Sequence, residues 1–470
     1  MIPKVAFLSK EGNFRTRLFP QYFAALSVGL GNFYLGTVIG WTGNNGLDLL
    51  NGNLNKIPVD DDELGWIGSL FNIGAMLSCI IIGQLCDLIG RKWSLLSLAL
   101  PNILGWLLII FSQNVEMIYV GRFIGGLSSG AFSMYGVLYI SELCEKDHRG
   151  ALGTIIGSLL IWGVLIAYIL GFALNSKGSA IVSCCFPVLF GLLFLLQPES
   201  PYYELQKGND EEALRILKRF RGKFHDVRKE LEQIKFHLEE EKLNKVSILE
   251  SFKRSEARTA LWVSFGLMLI QQASGLNAVI YYTSIIFNSA GIDENILNSQ
   301  ISTIIVGALE VIGSIFAILV IEKVNRRIYL SISGSFITVS LVLIGVYYTL
   351  QERNLVTPEI LADVGVLPLL GMFIFILSLG ASYGPLAFLI PTEICPPELK
   401  GIITSVAATF SWFLAFIVTK FYLNLKNTFG GDVTFYIFAV FGILAIIFPL
   451  FIPETRGKTL AEIQNEVKGK

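Results

Sequence analysis

The chain has 470 residues, a net charge of −1 and six cysteines; 53% of its residues are hydrophobic and 16% charged. Its mean hydropathy is +0.61, and soluble domains carry about 25% charged residues, so a water-soluble globule, a disordered chain and a fibre are excluded. A nucleic-acid binder is excluded too, because there is no basic field to collect phosphates.

Apolar residues fall in blocks of about twenty, the length of a helix crossing a ~30 Å hydrocarbon core. Twelve such spans are predicted: 21–43, 64–82, 93–112, 117–141, 151–172, 179–197, 257–284, 300–321, 328–350, 364–391, 402–425 and 433–452. Each must be helical, since lipid cannot satisfy open backbone groups. An all-α membrane protein follows, with a polar tail over 1–20, six spans over 21–197, a charged segment over 198–256, six spans over 257–452 and a tail over 453–470. Most of the 36 Lys and Arg fall on one side when both ends are placed inside, which predicts cytoplasmic termini. Residues 44–63, with Asp60, Asp61, Asp62 and Glu63, then form the first outer loop. The segment 198–256 mixes both charge signs with sparse Leu and Ile, the pattern of short amphipathic helices at the cytoplasmic surface.

The two sets of six spans echo each other. Asp87-Leu-Ile-Gly-Arg91-Lys92 after span two matches Glu322-Lys-Val-Asn-Arg326-Arg327 after span eight. Glu142 with Arg149-Gly150 matches Glu393 with Lys400-Gly401, and Pro198-Glu-Ser matches Pro453-Glu-Thr. Three matches in the same order imply duplicated halves, the pattern of a transporter with its site at the repeat interface. No metal-type spacing, disulfide framework, catalytic triad or phosphate loop stands out, so neither an enzyme nor a cofactor or metal site is expected.

Span seven carries the polar residues. Gln271 and Gln272 lie mid-span, Asn277 follows, and Tyr281 and Tyr282 come after it. On one continuous helix, Gln271, Ser274 and Tyr281 fall near one face, with Asn277 beside it. Amides in lipid are costly unless paired, so they face a wet cavity or a neighbouring helix. A sugar needs groups that both donate and accept, plus aromatic surfaces. The alternative is that these amides join helices together.

The motifs Gly83-Gln-Leu-Cys-Asp87-Leu-Ile-Gly90-Arg91-Lys92, Gly121-Arg122, Pro198-Glu-Ser-Pro201, Gln271-Gln272-Ala-Ser-Gly275-Leu-Asn277, Gly384-Pro385 and Pro453-Glu-Thr-Arg-Gly457-Lys458 resemble those of the sugar porter family of the major facilitator superfamily. Within it, the chain looks most like the insect facilitated trehalose and glucose transporters. The resemblance implies twelve helices in two six-helix halves and alternating access of a small neutral sugar across the bilayer, in a plasma-membrane protein expected to be monomeric. Glucose and trehalose both stand as substrates. It implies sugar contact for Gln271, Gln272, Asn277, Glu310 and Trp412, and an outer gate at Tyr281 and Tyr282. Asp87, Arg91, Glu142, Arg149, Glu322, Arg326, Glu393 and Lys400 are expected to pair across helices while the inner mouth is shut and to part as it opens. Ser411, Ala415, Phe388 and Gly157 stand where many members carry larger or more polar side chains, which implies a roomier pocket. Glu310 stands where the family has Asn or Gln. It is read as a protonated acid imitating Gln, as a carboxylate on sugar, or as a proton-coupling group. Thr42 stands where proton symporters carry Asp and no histidine lies in a span, which argues against coupling. A proton-coupled symporter and a non-transporting sugar sensor are the alternatives.

Overall fold

A computed structural model describes residues 18–221, 226–243, 255–290, 298–395, 399–456, 458 and 462–463. Twelve helical spans among them are long and apolar enough to cross a membrane. In the first half these are α1 (Leu18–Leu50), α2 (Asp61–Ile89), the pair α3 (Arg91–Ser97) and α4 (Ala99–Ile110), the pair α5 (Val115–Ser129) and α6 (Phe132–Leu143), α7 (Lys146–Ala173) and α8 (Ser176–Phe194). The linker holds α9 (Pro201–Gln206), α10 (Asp210–Arg221) and α11 (Val227–Leu243). The second half has the pair α12 (Ser255–Ala273) and α13 (Leu276–Ser289), then α14 (Ser299–Val320) and α15 (Arg326–Glu352). It continues with α16 (Pro358–Asp363), α17 (Val366–Ala381) and α18 (Tyr383–Ile394) in one span, α19 (Lys400–Phe429) and α20 (Gly431–Ile447).

Large apolar side chains such as Trp93, Leu100, Ile312, Leu319 and Phe336 stand outward and exposed, as a surface meeting lipid requires. The interior is held by close backbone approach as well as by apolar packing. A Cβ on Gly36 of α1 or on Gly163 of α7 would run into a backbone carbonyl of the other helix, so these two helices meet where side chains are absent.

Helix α1 outruns its expected end. The stretch Gly43-Asn44-Asn45-Gly46 reads as polar loop, yet it is helical and buried. Asn44 donates to the Tyr168 carbonyl (2.6 Å) and Asn45 to the Trp41 carbonyl (2.7 Å). Both amide N–H groups thus find backbone acceptors inside the bundle, which offsets part of the cost of burying them. The acids placed in the first loop start α2 instead. Asp60 caps it, accepting from the Glu63 amide (2.7 Å), while Glu63 accepts from the Asp60 amide (2.9 Å).

The repeat is visible as contacts. Glu199 accepts from the amides of Arg91 (2.9 Å) and Lys92 (3.0 Å) at the start of α3. Glu454 accepts from those of Arg326 (3.3 Å) and Arg327 (3.2 Å) at the start of α15. Lys92 reaches the Leu195 carbonyl as Arg327 reaches that of Pro449. In each case a carboxylate satisfies orphan donors at a helix N-terminus. The linker docks on the first half: Arg221 bridges Glu230 (2.7 Å) and donates to the Leu143 carbonyl (2.8 Å).

Between the halves, α1 packs on α13, α2 on α19 and α7 on α14.

Candidate functional site

The seventh span does not run through. It breaks between α12 and α13 at Ser274 and Gly275, where Gly275 has φ +94° and a Cβ would sit 2.6 Å from the Phe438 ring. Only glycine adopts that backbone at little cost, and only glycine fits. The single-face reading of Gln271, Ser274 and Tyr281 therefore fails, because the helix axis is interrupted between them. The break instead folds the amides onto one another. Asn277 at the start of α13 donates to Gln272 Oε1, and Gln272 donates to Ser411 Oγ of α19 (2.9 Å). Gln271 donates to the Tyr383 and Gly384 carbonyls (3.1 and 3.5 Å), at the second break, where Ser382 interrupts the tenth span. All three amides are less than a tenth exposed.

The remaining sequence candidates divide by position. Trp412 is half-buried and meets Phe71 of the other half edge-on, with centroids 5.9 Å apart. Glu310 lies on the buried face of α14. Its neighbours one turn away point at different helices: Gly307 packs against Tyr168 of α7, Gly313 against Leu377 and Ala381 of α17. Tyr281 donates to Asn72 of α2 (3.1 Å), Asn72 donates to Thr419 Oγ1 (3.2 Å), and Tyr282 donates to the Thr419 carbonyl (2.9 Å). A Cβ on Gly157 would meet no described heavy atom within 4 Å, so space is open there.

The charged motifs pair within their own halves. Arg91 meets Glu142 (3.2 Å) and Asp87 (3.5 Å); Arg326 meets Glu393 and Glu322 (3.8 Å). Arg149 donates to the Cys144 carbonyl (2.8 Å). Lys400 opens α19, but its side chain lies outside the described residues, as does Gly457. The Arg91 and Arg326 pairs are formed in this conformation, each within its own half.

The opposite end is shut. Lys420 of α19 bridges Asp62 of α2 (2.6 Å) with its ammonium over the Trp66 ring (4.5 Å). Asn424 donates to Asp62 (3.2 Å) and Asn427 to Asp61 (2.8 Å). Ser284 donates to the Gly43 carbonyl (2.7 Å) and Tyr168 to that of Ile280 (2.8 Å). Sequence reasoning missed this clamp, although a lone lysine inside the apolar run 402–425 was the signal for it. It also gave no role to Arg122. That side chain is fully buried, donates to the Ile67 and Val38 carbonyls (2.8 and 2.5 Å) and lies over Phe71 (5.3 Å).

A cavity of about 410 Å³ opens between Met76 and Ile80 of one half and Phe265, Val406, Phe410 and Phe413 of the other. Its one hydroxyl, Thr409, donates to Ser405, so it offers nothing that recognises a polyhydroxyl ligand. The amide cluster does, since amides donate and accept at once.

The family model described as "Sugar (and other) transporter" matches residues 30–467. The facilitated trehalose transporter Tret1 of Apis mellifera ligustica is 34% identical over 457 residues, covering 96% of this chain and 88% of that protein. Tret1 of Polypedilum vanderplanki is 32% identical over 458 residues, covering 96% and 89%. Among solved structures, the partially occluded inward-open xylose transporter XylE from E. coli matches with a TM-score of 0.76 at 22% identity, covering 94% of this chain and 99% of that one. That likeness shows the fold, the major facilitator arrangement of twelve helices.

Proposed function

The chain belongs to the sugar transporter family, and on that footing we propose that it is a facilitative carrier moving a small neutral sugar down its gradient by alternating access. The observation that carries this reading is the amide cluster at the Gly275 break, set between halves clamped at one end. We place the linker end and both termini in the cytoplasm and the clamp outside, in a plasma-membrane protein that acts as a monomer. Gln271, Gln272, Asn277 and Trp412 then contact sugar, and Tyr281 and Tyr282 close the outer gate through Asn72 and Thr419. The pairs of Asp87, Arg91 and Glu142, and of Glu322, Arg326 and Glu393, keep each half rigid. Arg149 and Lys400 flank the inner gap and latch it in the opposite state. Trehalose leads glucose as substrate, because relatives named for it cover nearly the whole chain and the short side chains at Gly157, Ser411 and Ala415 leave room for two rings.

The test is uptake into proteoliposomes of labelled trehalose and labelled glucose, with and without a pH gradient. Saturable uptake that stops at equal concentrations under both conditions supports the proposal. Accumulation above the outside concentration, driven by the pH gradient, overturns the facilitative reading in favour of a symporter.

A further inference from the structure

The apolar cavity at the seam of the halves takes no part in holding sugar. It runs along α19 between α2 of the first half and α12 of the second, with Met76 and Ile80 on one wall and Phe265, Phe410 and Phe413 on the other. It faces the membrane rather than the amide cluster. Ser411 of α19 turns inward to Gln272, whereas Val406 and Phe413 stand on roughly the opposite face of that helix and are exposed, as is Ile80. The Phe265 and Phe410 rings line the groove together, their centroids 4.6 Å apart. A row of side chains on α12 continues it toward the linker end. Arg258, Trp262 and Phe265 stand at i, i+4 and i+7, so they share one helix face. Arg258 is exposed in the first turn. Trp262 is exposed one turn deeper, beside the Phe448 ring (4.8 Å). Phe265 enters the groove about 10 Å beyond Arg258, at the helical rise of ~1.5 Å per residue. A cation outermost, then an interfacial aromatic, then an apolar groove is the depth order of a phospholipid.

We propose that this groove binds an anionic phospholipid of the leaflet at the linker end, one acyl chain lying between α2 and α19 against Phe265 and its phosphate seated on Arg258. The site goes beyond the carrier reading and does not depend on which sugar is moved. Passing a chain from the bilayer into the groove gains nothing from the hydrophobic effect, because lipid tails are as apolar as the lining. What favours the groove is dispersion contact with three phenyl rings along a concave wall. The guanidinium adds a fork of N–H donors that matches phosphate oxygens. A lipid of net negative charge gains most, since no ammonium of its own cancels the attraction. The walls belong to different halves, so a chain seated here touches both bodies of the proposed rocking motion.

The experiment uses the intact chain in phosphatidylcholine proteoliposomes doped with one of two probes carrying the same mid-chain diazirine: phosphatidylglycerol, or a diacylglycerol with no phosphate. After illumination, labelled peptides are mapped by mass spectrometry. Phosphatidylglycerol is expected to label Ile80, Phe265 and Phe413 well above Leu319 and Phe336, which are exposed elsewhere on the membrane face. Val406→Trp fills the groove from an exposed position and should cut labelling of Phe265 to the level of those reference positions; Ile80→Trp repeats the test from the other wall. Arg258→Gln should lower phosphatidylglycerol labelling about fivefold, the worth of one surface cation toward an anionic lipid, and leave diacylglycerol labelling as in the parent. An unchanged melting temperature shows that each variant is folded. Even labelling over the whole membrane face overturns the inference, since it marks bulk lipid only. So does an excess that survives both Trp variants, and so does an Arg258→Gln variant that changes neither probe or both equally. The readout is lipid contact, so it stands or falls separately from sugar uptake.

Discussion

The two halves share their scaffold and differ in their interiors. At the linker end the match extends to hydrogen bonds: Glu199 over Arg91 and Lys92 corresponds to Glu454 over Arg326 and Arg327, and the Arg91–Glu142 pair to Arg326–Glu393. The fourth and tenth spans are both interrupted, at Gly130–Ala131 and at Ser382. The first and seventh spans part company. The first is one helix of 33 residues, packed through Gly36 on α7, whereas the seventh breaks at Gly275 and gathers Gln271, Gln272 and Asn277 around the break. Duplication thus supplied the charged frame twice, and the buried amide cluster, which we propose as the recognition surface, was built in one copy. A broken span exposes backbone groups and redirects side chains, which is where transporter sites form.

The sharpest way to break that contrast is to mend the seventh span. Gly275→Val forces a β-branched residue to φ +94° and drives it into Phe438. Backbone strain of this kind costs about 1–3 kcal/mol, and overpacking adds about 1–3 kcal/mol. Uptake should be lost and the melting temperature should drop. Near-normal uptake would show that the break is incidental. Next in size is Gln272→Ala, which leaves Asn277 and Ser411 without a partner and removes a two-way group from the site. The loss of ~1–3 kcal/mol corresponds to ~5–150-fold in sugar affinity, read as a rise in the half-saturating concentration at normal surface expression. Unchanged affinity would make Gln272 a helix-joining residue.

Much of the architecture was legible in the sequence because one physical rule dominates it. Each span had to be a helix, so apolar block length alone yields twelve of them, and the order of charged motifs yields the repeat. The amides of span seven were conspicuous for the same reason, being costly in lipid. Three features were hidden. Gly43–Gly46 looked like a loop because composition does not reveal that Asn44 and Asn45 find backbone acceptors. The Gly275 break needs a φ value, and a glycine in a transmembrane helix is common for other reasons. The Asp62–Lys420 clamp joins residues 358 positions apart, a pairing that no local pattern encodes.

The ends of the molecule sharpen the comparison further. Lys420→Leu removes the clamp on the shut end and should favour the state in which that end opens. Asp62 is exposed, so the pair is screened, and the shift should be about two- to fivefold, measured as faster labelling of a cysteine introduced on the buried face of α2 away from the Asn72 contacts. Unchanged labelling would leave Lys420 as a packing residue over Trp66. The double variant Arg149→Leu with Lys400→Leu acts on the other end and should speed labelling of a cysteine in the inner gap while slowing net transport. Its effect is expected to be smaller, because the paired residues Arg91, Glu142, Arg326 and Glu393 stay in place. Equal labelling in variant and parent would reduce both cations to topology anchors.

The smallest effect on neutral-sugar flux belongs to Glu310→Gln. A carboxylate that cycles its proton must be charged in at least one step, and no amide can take that step. In a facilitative carrier, Glu310 has only to make hydrogen bonds, and Gln, of similar size, both donates and accepts. Trehalose flux in Glu310→Gln should therefore stay within about twofold of the parent, whether a pH gradient is imposed or collapsed. Glu310→Leu is the contrasting case, since it removes the hydrogen-bonding group altogether, and most of the flux should go. The position tests the halves against each other once more: the first half carries Thr42 in its unbroken helix, the second carries an acid at the seam. If the parent drives trehalose uphill on a proton gradient and Glu310→Gln loses only that ability, the second half holds a coupling group as well as the recognition surface, and the carrier is a symporter.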